Sequence, residues 1–321
     1  MLLVTGGAGY IGSQLVKRLK TPVVVVDSLV EGHRESLSPD IPLIQANVGD
    51  LEAMRALFLQ YPITAVIHFA AFCYVGESQE KPQKYFHNNV INTLRLLEAM
   101  EEAQVRRIVF SSTCATYGHP QSIPITEAHP QLPINIYGLT KHLVEQALHG
   151  YAQTRGWSVA CLRYFNASGA DESGDIGESH SPETHLIPLI LQTALGKRPA
   201  ISIYGTDYDT PDGTCIRDYI HVADLADAHL KALDYLQGKE GIWDAFNLGT
   251  THGASVKEVI DLCRQVTGHP IPVEEAPRRP GDPAMLVAQA DKAHAILGWE
   301  PQFDLRRTIE TAWQWEQNRR Y

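Results

Sequence analysis

Short runs of branched apolar residues alternate with longer stretches of helical periodicity through the first half of the chain. Leu2-Leu3-Val4 reads as a strand and Gly9 to Lys20 as the helix after it. Val23-Val24-Val25-Val26-Asp27 reads as a second strand, and its unbroken apolar run suits a strand covered on both faces. Further strands are expected at Leu43-Ile44, Ala65-Val66-Ile67-His68-Phe69, Arg107-Ile108-Val109-Phe110 and Ser158-Val159-Ala160-Cys161-Leu162, with helices over 51–60, 83–104 and 137–155 between them. Strand and helix in this alternation predict βαβ units with right-handed crossovers, and so an α/β chain with a doubly wound parallel sheet and helices on both faces.

The rhythm breaks after Asn166. Ala167 to Pro182 is rich in Gly, Ser, Asp and Glu and reads as an exposed loop, and prolines recur from Pro188 to Pro301. Helical patterns return at 223–237, 255–267 and 304–319. The expected division is a first domain at 1–166 and a smaller α/β substrate domain at 167–321, with 223–237 free to pack back onto the sheet.

Composition narrows the partners. A formal net charge of −10 argues against nucleic acid, which calls for a dense basic face. No stretch approaches the ~20 apolar residues of a membrane span, and the apolar start reaches a glycine cluster by Gly6 without a basic leader, so neither a span nor a signal peptide is expected. Cys73, Cys114, Cys161, Cys215 and Cys263 show no C-x-x-C pair. Reduced thiols in a cytoplasmic protein are therefore expected, with no disulfide frame and no metal site.

Thr5-Gly6-Gly7-Ala8-Gly9-Tyr10-Ile11-Gly12 follows a strand and opens a helix. Glycines let the turn tighten and the backbone approach a pyrophosphate, and the helix N-terminus offers N–H groups to its oxygens. Alone, the pattern also describes an ordinary tight turn. Asp27, at the end of the second strand, adds an acceptor for the adenine-ribose hydroxyls; its charge repels a 2′-phosphate, so NAD is expected rather than NADP. The sheet is then of Rossmann type.

Tyr137 and Lys141 form a Tyr-x-x-x-Lys pair at the start of a helix, one turn apart and on one face. Bringing a phenol from a pKa of ~10 to near neutrality takes about 4 kcal/mol of differential stabilisation, which an ammonium and a nicotinamide charge in a dry pocket could supply. By itself such a pair is also common on solvated helix surfaces. Its place after the strand ending in Ser111-Ser112-Thr113 favours chemistry, because ligands of open α/β folds bind at the carboxyl edge of the sheet. The Thr113 hydroxyl is a candidate partner for the reacting group, or a strand-end cap.

Together these residues resemble the extended short-chain dehydrogenase/reductase family, and within it the UDP-glucose 4-epimerases. The resemblance includes His68-Phe69-Ala70-Ala71, Val75-Gly76-Glu77-Ser78, Asn88-Asn89-Val90, Leu162-Arg163-Tyr164-Phe165-Asn166, Asp212-Gly213-Thr214, Arg217-Asp218-Tyr219-Ile220-His221-Val222, Phe246-Asn247-Leu248-Gly249 and Arg278-Arg279-Pro280-Gly281-Asp282. It implies Tyr137 as general base, Lys141 lowering its pKa and Thr113 hydrogen-bonding a sugar 4-OH, with oxidation at C4 by NAD, rotation of a 4-keto sugar and reduction on the other face. It implies an NAD pocket of Gly6, Gly9, Tyr10, Ile11, Gly12, Asp27, Asn47, Val48, Phe69, Ala70, Ala71, Asn89, Ser111, Tyr137, Lys141 and Tyr164. For a UDP-hexose it implies Thr113, Tyr137, Asn166, His185, Leu186, Tyr204, Arg217, Arg279 and Asp282. The guanidinium groups suit a diphosphate and Tyr204 a uracil, although Arg279 also reads as a surface side chain, Asp282-Pro283 as a turn and Tyr204 as a core residue. The resemblance further implies a homodimer through helices near 83–104 and 137–155.

Three positions depart from the family pattern. Cys73 replaces a lysine common near the nicotinamide, Asn47 replaces an aspartate at the adenine, and Leu286 stands where bulk bears on N-acetylated sugars. A 4,6-dehydratase would need an Asp-Glu pair after Thr113, where this chain has Cys114-Ala115. A non-catalytic NAD-binding regulator would have no need to keep Tyr137 and Lys141 in register.

Overall fold

The computed structural model describes residues 1–279 and 281–321; Pro280, part of the Arg278–Asp282 motif, lies outside the described residues. β1 (Leu2–Thr5) and β2 (Val23–Asp27) are buried along their whole length. Their side chains enter two cores in alternation. Leu2, Val4, Val23 and Val25 fill one, while Leu3, Val24 and Val26 fill the other. A run of four valines suits such a strand because both of its faces are dry.

α1 (Tyr10–Arg18) covers the first core, and β3 (Leu43–Gln45), α2 (Leu51–Gln60) and β4 (Ala65–His68) follow. Next come α3 (Val75–Glu80), α4 (Pro82–Tyr85) and α5 (Asn92–Glu102). The single helix expected over 83–104 is interrupted, because a π-helical turn at Phe86–Ile91 separates α4 from α5. The turn carries the buried Asn89, whose side chain accepts from the Phe72 N–H at 2.9 Å and donates to the Phe72 carbonyl at 3.0 Å. π-turns inside helices gather at functional sites, and here one aims an amide at the loop after β4.

β5 (Arg107–Ser111), α6 (Ile136–Arg155) and β6 (Ser158–Tyr164) complete the alternation, and β7 (Asn166–Ser168) begins a second region. That region contains α7 (Leu186–Ala194), β8 (Ile201–Tyr204), β9 (Ile216–Arg217), β10 (Tyr219–His221) and α8 (Val222–Tyr235). It continues with β11 (Ile242–Leu248), β12 (Ala254–Ser255), α9 (Val256–Thr267), β13 (Val273–Ala276), β14 (Met285–Leu286) and α10 (Leu305–Gln317). α7, α9 and α10 enclose a third core around Ile190, Leu191, Val259, Ile260 and Ile309. α9 starts on a capping box in which Ser255 and Glu258 satisfy each other's backbone N–H.

The main sheet has seven strands in the order β11-β6-β5-β4-β1-β2-β3, every neighbour parallel. This is the doubly wound α/β sheet of the Rossmann type. β11 pairs with β6 over residues 242–248, and α8 packs against α1, so the segment after residue 166 supplies both an edge strand and a covering helix to the sheet layer. β1 lies between β2 and β4, where the strand order reverses, and such a switch point opens a crevice at the carboxyl ends of the strands. No helix among the described residues is long and apolar enough to cross a membrane.

Candidate active site

A cleft of about 1450 Å³ runs from that switch point across to the second region. At one end lies the glycine turn. Gly6 has φ +71°, and a Cβ on it would stand 2.6 Å from the Ala70 nitrogen; a Cβ on Gly12 would stand 2.2 Å from the Gly6 carbonyl oxygen. Neither clash can be relieved by rotating a side chain, so the turn requires glycine at both places. α1 begins directly after it, with no side-chain cap at Gly9 and no acid in its first turn. Its leading N–H groups and positive dipole end are thus left to an external anion.

Asp27 closes the cradle. It is buried, and its two oxygens accept from the N–H groups of Ala8 and Leu29, both at 2.9 Å. Burial raises its pKa, while those N–H groups and His33 pull it back down. Asn47 lines the same cleft and its Oδ1 accepts from the Gly49 N–H at 2.8 Å. Val48, Phe69, Ala70 and Ala71 complete the apolar wall. A glycine turn, an unfilled helix N-terminus and an acid at the end of β2 fit a dinucleotide with free ribose hydroxyls.

α6 supplies the central pair. Asn135 caps it, accepting from the Gly138 N–H at 2.7 Å, and the Tyr137 N–H donates to Ser78 Oγ at 3.1 Å. Tyr137 and Lys141 are both buried in the cleft wall. Lys141 Nζ donates to the Ser111 carbonyl at 2.6 Å and lies 4.9 Å from the Phe110 ring centroid. Burial lowers the Lys141 pKa to about 8. Burial also raises the Tyr137 phenol far above its ordinary value, with Tyr164, Cys73 and Cys114 adding to the rise and the facing Thr113 hydroxyl opposing it. Lys141 is not among the groups that move this phenol. One of its three ammonium donors goes to the Ser111 carbonyl at the end of β5, and desolvation dominates the phenol.

Cys73 packs in the cluster that holds Tyr74, Tyr85 and Tyr137. Tyr164 donates to or accepts from Ser111 Oγ at 2.7 Å. Ser111 and Asn89, expected in the cofactor pocket, stand behind its lining. One positions Lys141 and Tyr164, and the other clamps the Phe72 backbone.

Across the cleft, Asn166, His185, Leu186, Tyr204, Arg217, Arg279 and Asp282 all line the wall. Arg217 Nη2 pairs with Asp282 Oδ1 at 2.5 Å. The Arg279 guanidinium lies 4.1 Å from the Tyr204 ring centroid, and Tyr204 is 40% exposed, so this tyrosine is a wall residue. Leu286 pairs with Arg217 in the register of β14 on β9. Asp218 lay only within a motif in the sequence. It is fully buried and accepts from Thr250 and Ala288, fixing the strand that presents Arg217.

Sequence reasoning singled out His185 but missed its neighbours. Glu178, His180 and Glu183 gather around it, with His185 Nδ1 2.8 Å from Glu178 Oε1 and 2.9 Å from Glu183 Oε1. The signal was the spacing E-x-H-x-x-E-x-H over 178–185, which a search limited to cysteine pairs passes by.

Residues 2–249 match the model of the NAD dependent epimerase/dehydratase family. The chain belongs to this family. A curated relative from Halalkalibacterium halodurans, named UDP-glucose 4-epimerase, is 53% identical over 318 residues, covering 98% of this chain and 95% of the relative. The crystal structure of a UDP-glucose 4-epimerase from Brucella ovis in complex with NAD superposes with a TM-score of 0.94 at 44% identity, over 97% of each chain. That of a UDP-glucose 4-epimerase from Bifidobacterium longum in complex with NAD+ and UDP gives 0.94 at 39% identity, over 99% of this chain and 98% of the other. The likeness thus extends past the family model's limit at residue 249 and takes in the Arg217, Arg279 and Asp282 wall.

Proposed function

We propose that this protein interconverts UDP-glucose and UDP-galactose by NAD-dependent inversion at C4 of the hexose. The observation that carries the reading is the convergence of Tyr137, Thr113 and Lys141 on one cleft that also holds the glycine cradle and Arg217. NAD, when bound, supplies reversible oxidation at C4. The chain's own residues do the rest. Thr113 and Tyr137 face each other, so a sugar 4-OH between them donates its proton to the phenolate and accepts a hydrogen bond from the threonine. Lys141, held by the Ser111 carbonyl one helical turn from Tyr137, lends its positive charge to the phenolate once that forms. Arg217 and Arg279 hold the diphosphate while the 4-keto ring turns over in the cleft, and Tyr137 returns the proton. Tyr204 offers its exposed ring to the uracil, and Asp282 leaves Arg217 free to rotate toward phosphate as it takes a ribose hydroxyl.

Elimination of water is disfavoured by the same site. Ala115 has no proton to transfer, and burial raises the Cys114 thiol to about 12.

The reading includes a homodimer formed through α5 and α6. Its support is the exposure of Ile91 and Leu94 before and on α5 and of Leu143 on α6. A cytoplasmic location accords with five free thiols and no disulfide. Incubation of the purified protein with UDP-galactose, without added NAD, should yield UDP-glucose in a coupled dehydrogenase assay. A mass spectrum of nucleotide released on denaturation should show NAD. No turnover with NAD supplied in excess would remove the assignment.

A further inference from the structure

Four side chains on the loop between β7 and α7 converge beside the substrate wall to which His185 belongs. His180 Nδ1 lies 3.2 Å from Glu178 Oε1 and 3.5 Å from Glu183 Oε2, while His185 Nδ1 lies 2.8 and 2.9 Å from Glu178 Oε1 and Glu183 Oε1. One ligand atom from each of the four falls within 4.8 Å of all the others. Tetrahedral zinc, with bonds of about 2.0–2.2 Å to imidazole nitrogen and carboxylate oxygen, sets donor separations of about 3.4 Å. The observed spacings bracket that value.

A second observation is independent of the spacing. Glu183 Oε2 and His180 Nδ1 are buried and make no hydrogen bond. The Glu183 side chain is only 5% exposed, so a carboxylate oxygen without a hydrogen bond, 3.5 Å from His180 Nδ1, is shut inside the group. Buried polar atoms of this kind normally find a partner, and an ion is one. The backbone around the group is fixed both by Trp315 and by Glu183 itself. The Glu178 carbonyl accepts from Trp315 Nε1 at 2.8 Å, and Glu183 Oε1 accepts from the N–H groups of Thr184 and His185.

We propose that Glu178, His180, Glu183 and His185 form a four-ligand site for a divalent transition-metal ion, zinc foremost. Two carboxylates balance a dication, and each imidazole gives up its proton when it binds the ion. Imidazole donors select against magnesium and calcium, and the lack of thiolate selects against copper(I). With four protein ligands the site is closed, hence structural. It pins the loop against the cofactor end of the cleft, where the His180 ring meets Tyr10 of α1 edge-on at 6.4 Å and Tyr74 at 5.7 Å between centroids.

The test uses full-length protein purified without chelator or histidine tag, loaded with zinc, desalted and analysed for metal by mass spectrometry. About one equivalent of zinc per chain is expected. Cobalt loading should give the intense visible d–d bands of a tetrahedral site. His180→Gln and Glu183→Gln should each lose the metal while keeping the far-ultraviolet circular dichroism of the wild type. Wild-type protein that retains neither zinc, cobalt nor nickel after desalting overturns the proposal. So does an equivalent that survives both variants, or one lost on Cys73→Ser instead.

Discussion

At the scale of single residues, the site turns on two groups whose burial opposes their function. Tyr137 is raised by desolvation, so forming its phenolate depends on charge brought close to it. Removing the hydroxyl with Tyr137→Phe should lower kcat by about 10²–10⁴ while leaving UDP affinity nearly unchanged by calorimetry; an unaltered kcat would remove its role as base. Lys141 carries the opposite sign. Burial lowers its pKa from 10.5 to about 8, so between those values the unfolded chain binds more protons than the folded one. Stability contributed at this position therefore rises with pH across that window, and the full cost of the buried ammonium is felt below about 8. Set against Lys141→Met, the wild type should gain about 2 kcal/mol in relative denaturant stability as pH climbs from 7.5 to 10. A gap independent of pH would mean that the amine is not desolvated. The Tyr-x-x-x-Lys pair was legible because helical spacing fixes that both face one way. That Lys141 is held by the Ser111 carbonyl was not, since Ser111 arrives from β5.

At the scale of elements, the turn between β1 and α1 is the most constrained feature. A methyl group at Gly12 would stand 2.2 Å from the Gly6 carbonyl oxygen, and backbone cannot yield as a side chain does. Gly12→Ala should therefore displace the start of α1 and release the cofactor, read as loss of NAD from the purified protein by mass spectrometry. Full retention of NAD would show that the helix end is not what binds the phosphates. This motif was visible in sequence because glycine spacing is local. The break between α4 and α5 was not, because the π-turn is stabilised by Asn89 reaching a loop 17 residues earlier. Nor was the buried pair of Arg163 with Glu145 at 2.5 Å, which ties β6 to α6 beneath Ser112. Arg163 reads in sequence as one residue of a strand motif, and only the register of β6 turns it inward.

At the scale of the whole molecule, the sheet is completed by chain from the second region, after residue 166. Phe246 and Leu248 of β11 and Leu225, Ala228 and Ala232 of α8 belong to the same core as Val4 and Val25. A fragment ending at residue 166 would expose that surface. It should lack a cooperative thermal transition by circular dichroism, and a sharp one would show that the first part folds alone. The alternation of strands and helices, the glycine turn with Asp27 and the Tyr137–Lys141 pair were all determined by sequence, because each rests on spacing within one or two elements. Tertiary structure alone decided which of the implied residues line the cleft and which stand behind it, that Arg217 meets Asp282, and that two glutamates and two histidines converge. Those outcomes depend on contacts between segments far apart in the chain, and no periodicity along the chain encodes such a contact.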